Sequence, residues 1–217
     1  GWGTSGRFVY SPVIEDEQVL HFGVRGSYRE LDVATPSLKI KDKTTDFSEL
    51  NIVNTGTLAD AEAVTLFGPE FAAVWGSLYV FAEHTTTEVT RTAAPDLTFS
   101  GWHAAAAWSL TGESRAGRYS MSSGEFKGLR PSKHFDWANG GIGAWEIAAR
   151  YATVDLNDAD VVGGEEDALS IALNWYPNRN VRFMADWSRI LDTDGSNTVR
   201  LYAPDMDIFT LRTQWNF

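Results

Sequence analysis

The 217-residue sequence contains no cysteine, which excludes disulfide bonds and thiolate metal sites. It has no run of about 18 apolar residues, the length that a membrane-spanning helix needs. Its net charge of −11 argues against a general nucleic-acid-binding protein. No segment has the periodicity of an amphipathic helix. These absences leave an all-β protein as the predicted fold class.

Residues that a hydrolytic enzyme would need are also scarce. The four histidines, His21, His84, His103 and His134, lie in no recognisable Ser/His/acid pattern. The Gly-x-Ser-x-Gly motif is absent. The acidic stretch 155–167 does not have the spacing of an EF-hand. We therefore predict no catalytic site, no metal site and no cofactor. An outer-membrane barrel enzyme, a soluble all-β binding module and a barrel without conductance remain as alternatives.

Aromatic residues are abundant, with nine Trp, seven Tyr and twelve Phe. The final stretch, 207–217, shows how they are distributed when it is read with the period of two that a strand requires. One face carries Phe209, Leu211, Thr213, Trp215 and Phe217, and the other carries Thr210, Arg212, Gln214 and Asn216. A strand between lipid and a water-filled lumen has this pattern.

Nine segments alternate in this way and predict an antiparallel up-and-down transmembrane β-barrel. Their approximate bounds are 7–13, 17–29, 60–75, 78–92, 97–111, 143–156, 169–175, 181–191 and 207–217. Gly68-Pro69 predicts a bulge or bend in the third segment.

The connections between these segments differ in length from one side of the sheet to the other. Polar outer loops are predicted at about 30–59, 157–166 and 192–205, and tight inner turns at 14–16, 76–77 and 177–180. Short inner turns and long outer loops are typical of outer-membrane barrels. The long stretch 112–142 falls on the inner side, so it either extends into the periplasm or folds back into the lumen.

Nine is an odd number of strands, whereas bacterial single-chain barrels have even numbers. The first six residues have the composition of an outer-loop end. We therefore expect residues 1–217 to form the carboxy-terminal portion of a single outer-membrane β-barrel domain, with further strands on the amino-terminal side. A closed sheet made from these residues alone would contradict this expectation.

Four phrases carry a family resemblance: GWHAAAAWSLTGESR at 101–115, GAWEIAARY at 143–151, ALNWYPN with NVRF at 172–183, and LHFG at 20–23 preceded by Gly6-Arg7. Together they resemble the phosphate- and polyphosphate-selective porins of the O and P type, over nearly the whole chain. The resemblance implies a sixteen-stranded barrel, usually a homotrimer, in the outer membrane of a Gram-negative bacterium. Its partners would be small anions, membrane lipids and lipopolysaccharide.

The family's constriction is formed largely by a loop of the amino-terminal half, which these residues do not include. The resemblance therefore implies an anion-conducting porin, while a preference for phosphate or polyphosphate cannot be read from the residues. A general-diffusion porin without phosphate preference is the alternative.

Alternation places six arginines on the lumen face, where they would contact passing anions: Arg7, Arg25, Arg29, Arg150, Arg182 and Arg212. His21 and His103 share that face. A guanidinium offers a fork of donors to phosphate oxygens and stays charged at any working pH. The same face carries the carboxylates Glu70, Glu83, Glu146 and Asp186, so each arginine could instead neutralise an acid across strands. Arg25 and Arg29 are the preferred anion contacts, because no inward carboxylate shares their strand.

Two connections carry clustered cations. Within 112–142, the basic residues Arg115, Arg118, Lys127, Arg130 and Lys133 outnumber the acidic ones. They would line the path if this stretch folds into the lumen, and a solvated turn is the alternative. Lys39, Lys41 and Lys43 in the loop 30–59 could collect anions electrostatically, although such runs are more often simply solvated.

Overall fold

The computed structural model describes residues 1–32, 37–43, 51–194 and 206–216. Within these residues nine long strands form one antiparallel sheet. They are β1 (Gly3–Ile14), β2 (Gln18–Glu30), β5 (Ala61–Trp75), β6 (Leu78–Arg91), β7 (Leu97–Ser109), β10 (Ala144–Asp158), β11 (Val161–Tyr176), β12 (Val181–Asp194) and β13 (Asp207–Trp215). Two small ribbons accompany the sheet, β3 (Lys41–Asp42) with β4 (Val53–Asn54), and β8 (Tyr119–Ser120) with β9 (Glu125–Phe126).

Each long strand pairs with its neighbours along the chain, so the predicted up-and-down topology is confirmed. Strands β1 and β13 are the two edges, and the sheet is open in the part of the chain that the structure describes. The first eight long strands have 12 to 16 residues each. A tilted strand needs only about 9–11 residues to cross the hydrocarbon of a bilayer. No helix in the described residues is long and apolar enough to span a membrane.

The two faces of the sheet differ as the alternation predicts. One face, here called the outer face, exposes large apolar side chains: Phe8, Phe22, Trp102, Ile147, Leu173, Phe183, Phe209, Leu211 and Trp215. The opposite face, here called the cavity face, carries small and polar residues such as Ala105, Arg150 and Ser170. Soluble monomers rarely expose an apolar surface of this extent, whereas a barrel wall in lipid does so on every strand. Phe217, predicted on the outer face, lies outside the described residues.

Of the predicted bulge or bend at Gly68-Pro69, the bulge is wrong. Strand β5 keeps one register with β6 on either side of the pair, since Phe67 lies opposite Thr86 and Glu70 opposite Glu83. Proline has no N–H to donate, so it interrupts the ladder toward β6 without inserting an extra residue. The register of β5 with β6 is therefore unchanged across the pair.

The predicted acidic loop at 157–166 is also wrong. Strand β10 runs to Asp158 and β11 begins at Val161, so the connection is the two-residue turn 159–160. The acids fit this hairpin because neighbours compensate them. The Asp158 carboxylate accepts a hydrogen bond from the Thr98 amide at 2.6 Å, and Asp160 lies 2.5 Å from an Arg91 nitrogen.

The first long connection, in its described part, and residues 115–129 of the second fold back over the cavity face. We call the first the 31–60 insert. Its described residues Ile52, Val53 and Leu58 are buried against side chains of the cavity face, including Phe99 and Leu156. The predicted polar outer loop at 30–59 is therefore, in its described part, a second layer that covers one end of the cavity face. Apolar residues interleaved with its lysines supply the buried side of that layer.

The second connection, here called the 110–143 insert, lies at the other end of the sheet, together with the tight turns 15–17, 76–77 and 177–180. We call this end the turn end. The 110–143 insert contains a short 3-10 helix, Ala116–Arg118, and the β8–β9 ribbon. These two elements place Tyr119 and Phe126 against Val19. Leu129 packs against Ala144 and Tyr176. Of the two alternatives for this stretch, folding back over the lumen side is therefore the one that the structure adopts.

The assignment of the two faces predicts unequal effects of one cation on neighbouring positions. Leu173→Arg places a charge on the lipid side of β11, whereas Ala172→Arg places it in the water-filled cavity. A lipid-facing Arg costs up to about 4 kcal/mol near the bilayer midplane. We expect denaturant unfolding from lipid vesicles to show a clear loss of stability for Leu173→Arg and a smaller one for Ala172→Arg. Equal losses would contradict the assignment.

Candidate functional site

A cavity of about 870 Å³, here called the main cavity, lies between the cavity face and the two inserts. Its lining includes seven cations and five carboxylates: Arg25, Lys41, Lys43, Arg115, Arg150, Arg182 and Arg212, with Asp42, Glu83, Glu146, Glu166 and Asp186. The cavity is therefore basic in a protein whose net charge is −11. Alternation places Arg25, Arg150, Arg182 and Arg212 of the long strands on this face.

Arg150 is an exposed cation of the strand wall. It lies directly opposite Ala105 on β7 and Ser170 on β11, and Ala148 and Ala152 flank it on its own strand. Because these neighbouring side chains are small, the exposed Arg150 guanidinium extends beyond them into the cavity. Within the described residues, Arg150 makes no hydrogen bond or ion pair. Its five N–H donors are thus available to a solute.

Arg7 and Arg25 instead neutralise two carboxylates that face each other. Glu70 and Glu83 lie opposite one another in the ladder between β5 and β6, an unfavourable arrangement for like charges. Arg7 forms an ion pair with Glu70, and Arg25 lies 3.4 Å from Glu83. Arg25 also donates to the Thr85 hydroxyl at 2.9 Å. The sequence argument for Arg25 considered only its own strand, and its carboxylate partner lies on another one.

His21 is buried beside this ion pair and links the sheet to the 110–143 insert. Its Nε2 lies 2.9 Å from a Glu70 oxygen, and its Nδ1 lies 2.9 Å from the Tyr119 hydroxyl. That hydroxyl is in turn 2.6 Å from Ser11. Tyr119 separates the serine from the histidine, so His21 is not placed to activate Ser11. The cluster therefore joins β1, β2 and β5 to the insert and does not have the geometry of a Ser/His/acid triad.

Glu146 is the most deeply buried carboxylate of the strand wall, with 2% of its surface exposed. Arg115 of the insert donates to one of its oxygens at 2.6 and 3.1 Å. Asn174 and the Tyr176 hydroxyl donate to the other at 3.0 and 3.2 Å. Losing one partner of such a buried pair costs about 3–5 kcal/mol. Arg115, predicted as a possible anion contact, is thus primarily the counterion that attaches the insert to the wall.

Arg182, Arg212 and Asp186 line the part of the cavity formed by β12 and β13. The Arg182 guanidinium lies over the Tyr176 ring, 5.2 Å from its centre. Its Nε is buried without a hydrogen-bond partner in the described residues. Asp186 shares this region, so two cations and one carboxylate face the solvent here.

The remaining predicted contacts lie outside the main cavity. Arg29 is exposed on β2, and Arg130 and Lys133 are exposed on the insert. Arg118 donates to the Gly128 carbonyl at 3.3 Å, and Lys127 lines a smaller cavity of about 340 Å³ that also contains Arg7 and His21.

The lysines of the 31–60 insert divide between two environments. Lys41 and Lys43 line the main cavity, whereas Lys39 is exposed elsewhere. The sequence placed all three on an outer loop, because nothing in its period indicated that the loop turns inward.

Glu113 is a structural residue that sequence reasoning did not single out. One of its oxygens accepts hydrogen bonds from Thr111 and from Ser109 at the end of β7, the latter at 2.8 Å. The other accepts from the Ser132 amide and hydroxyl at 3.1 and 3.0 Å. The carboxylate therefore joins the start of the 110–143 insert to Ser132 and closes the segment 113–132. Its sequence signal, a lone acid among Ser and Thr in a basic stretch, was present but weak.

The described residues contain no group of three or more His, Asp or Glu side chains arranged to hold a metal ion. The acids of 155–167 lie in a hairpin, and several have protein partners.

Comparison with known proteins gives one family and two relatives. The family model described as "Phosphate-selective porin O and P" matches residues 1–217. An uncharacterised protein of Caulobacter vibrioides is 33% identical over 201 residues, which cover 92% of this chain and 39% of that protein. Porin O of Pseudomonas aeruginosa is 26% identical over an alignment covering 97% of this chain and 52% of that protein. The chain thus spans about half the length of these relatives, or less.

The role of Glu113 predicts acid sensitivity of the insert. Burial alone would raise the pKa of this carboxyl, but the hydrogen bonds from Thr111, Ser132 and Ser109 outweigh burial and lower it below 4.5. Its stabilising effect is therefore complete above the unfolded-state pKa, and is lost as the pH falls through the lower folded-state pKa. We expect residues 113–132 to lose hydrogen-exchange protection, corrected for intrinsic rates, below about pH 4.5.

The variant Glu113→Gln should show that loss already at pH 7. Hydrogen bonds to a charged group contribute about 1.5–3 kcal/mol, so protection should fall roughly tenfold to a hundredfold. Glu125→Gln, in the exposed part of the same insert, is the matched control and should behave like the unmodified protein. Retained protection in Glu113→Gln would show that other contacts hold the insert.

Proposed function

Because the chain belongs to the phosphate-selective porin O and P family, we propose that it contributes the wall and two inserts of a water-filled channel through which small anions diffuse passively across an outer membrane. The observation that carries this proposal is a basic cavity in an acidic protein, bounded by strands whose opposite face is apolar. Selectivity in a wide pore arises from the charges along the water path.

Arg150 is the proposed principal anion contact of the strand wall. It combines a fork of donors suited to phosphate oxygens, a floor of small side chains and the absence of a carboxylate partner among the described residues. Arg182 and Arg212 are proposed as neighbouring contacts, moderated by Asp186. Lys41 and Lys43 of the 31–60 insert would raise the local anion concentration at that side of the cavity. Successive weak contacts let an ion enter and leave quickly.

A phosphate or polyphosphate preference is the finer proposal. It is supported by the guanidinium chemistry of the wall and by the family, whose description is phosphate-selective. A general-diffusion pore is the second candidate. It is favoured by the carboxylate partners of Arg7, Arg25 and Arg115, which leave fewer cations for solutes.

Insertion of the protein into a Gram-negative outer membrane, as a homotrimer in contact with phospholipid and lipopolysaccharide, is proposed from the family and from the apolar outer face. Channel function is favoured over catalysis, because Tyr119 separates Ser11 from His21 and the cluster lacks the geometry of a Ser/His/acid triad.

Charge reversal at Arg150 tests the proposal in the full-length protein. A charge-assisted contact contributes about 1.5–3 kcal/mol, so its loss should weaken anion occupancy about tenfold or more. In planar bilayers under a salt gradient, Arg150→Glu should shift the reversal potential toward cation preference. Its conductance in phosphate should fall more than its conductance in chloride.

The matched control is Arg179→Glu, which makes the same charge change in the exposed turn 177–180, outside the cavity. It should leave the reversal potential nearly unchanged. Equal shifts in both variants would indicate a diffuse electrostatic effect. No shift in Arg150→Glu, or cation preference of the unmodified protein, would overturn the assignment.

A further inference from the structure

The last part of the 110–143 insert lies not in the cavity but against the outer face. Residues 134–142 form a small hairpin, closed by reciprocal backbone hydrogen bonds between Asp136 and Gly141 at 2.9 and 3.0 Å. The hairpin presents three large apolar side chains to the surroundings, Phe135, Trp137 and Ile142, which are 45%, 89% and 58% exposed. Trp137 is thus almost fully uncovered, an unfavourable position for an indole in water.

The hairpin is attached directly to the aromatic surface of the strands. The indole N–H groups of Trp145 and Trp175 both donate to the Ile142 carbonyl, at 3.2 and 2.9 Å. The Phe135 ring packs edge-on against Trp175 with a centre-to-centre distance of 5.3 Å. Trp175 in turn stacks on Phe183 of β12. The apolar surface of the hairpin is therefore continuous with the lipid-facing surface of β10, β11 and β12.

The hairpin is also held in one conformation. The Asp136 carboxylate accepts hydrogen bonds from the Ala138 and Asn139 amides at 3.0 and 3.2 Å, and from the Asn139 side chain at 2.7 Å. After the hairpin, Gly143 adopts a φ of 71°, and a side chain there would collide with the Tyr176 carbonyl. This glycine lets the chain pass closely beneath β11 from the outer face to the start of β10. Trp137 thus projects from a fixed turn, and little ordering entropy remains to be lost when it binds.

The polar groups around the hairpin fit a lipid headgroup region. Arg130 and Lys133 are exposed just before it, and Asn139 lies at its tip. Indole rings favour the boundary between acyl chains and headgroups, and neighbouring cations favour lipid phosphates.

We propose that the 134–142 hairpin is a membrane-interface anchor. Phe135, Trp137 and Ile142 enter the headgroup–acyl boundary of the leaflet at the turn end, and the occupant of this surface is phospholipid. The anchor comes from a connection that also lines the pore, so one insert contacts both the cavity and the lipid. This inference rests on the sheet spanning a membrane and is independent of which ion the channel prefers.

Site-directed spin labelling tests the anchor, because these 217 residues contain no cysteine. Single-cysteine variants of the full-length protein, free of other cysteines, are labelled with a nitroxide and reconstituted in phosphatidylethanolamine and phosphatidylglycerol vesicles. Collision rates are measured with oxygen, which partitions into lipid, and with a water-soluble nickel chelate. Trp137→Cys is compared with Leu173→Cys as the lipid reference on β11 and with Arg179→Cys as the aqueous reference at the same end.

The label at position 137 should show an oxygen-to-nickel ratio severalfold above that of the Arg179 reference and close to that of the Leu173 reference. Brominated lipids should quench a component of the native tryptophan fluorescence that disappears in Trp137→Phe. A ratio equal to that of the Arg179 reference would mean a solvated turn and would overturn the proposal. A label shielded from both reagents would mean contact with a second copy of the chain, which also overturns it. Aqueous behaviour at the Leu173 reference would instead contradict the membrane-spanning sheet itself.

Discussion

The structure depends on one constraint: successive side chains of a strand point to opposite faces of the sheet. In a membrane wall that constraint leaves a charged side chain only one place to go. Arg25, Arg150, Arg182 and Arg212 of the long strands therefore line the same cavity, together with Glu83 and Glu146. The protein needs no polar core and no helix to create a site, since the site is the side of the sheet that the lipid does not touch.

As a consequence, charged side chains lie close together on the cavity face. Glu70 and Glu83 lie opposite each other in the ladder between β5 and β6, and Arg7 and Arg25 neutralise them. The buried His21 lies 2.9 Å from Glu70. Glu146 receives its counterion from outside the wall, through Arg115 of the 110–143 insert. Carboxylates are thus neutralised by arginines from other strands and from the insert. Several cations that the sequence predicts as anion contacts are therefore already paired. Arg150 has no such carboxylate partner in the described residues, because the residues opposite it are Ala105 and Ser170.

The sequence predicts the sheet well and the connections poorly, and the reason is periodicity. Within each long strand, apolar residues recur at every second position, as they do around Trp102, Trp145, Trp175 and Trp215. This pattern identifies both the strand and its outer face without knowledge of the partner strand. The 31–60 and 110–143 inserts have no period, so their inward course could not be read from their residues. The acids near Asp158 looked like a loop because their partners, Arg91 and the Thr98 amide, come from distant positions. For the same reason, only the structure identifies the carboxylate partner of Arg25 and the bridging role of Glu113.

Glu113 closes the base of the 110–143 insert, so the residues between it and Ser132 form a loop with both ends fastened at one carboxylate. The conformation of that loop is therefore independent of the register between the wall strands. Substitutions or length changes in the β8–β9 ribbon, which lies inside that loop and beside the smaller cavity, would therefore leave the pairing of the wall strands unchanged.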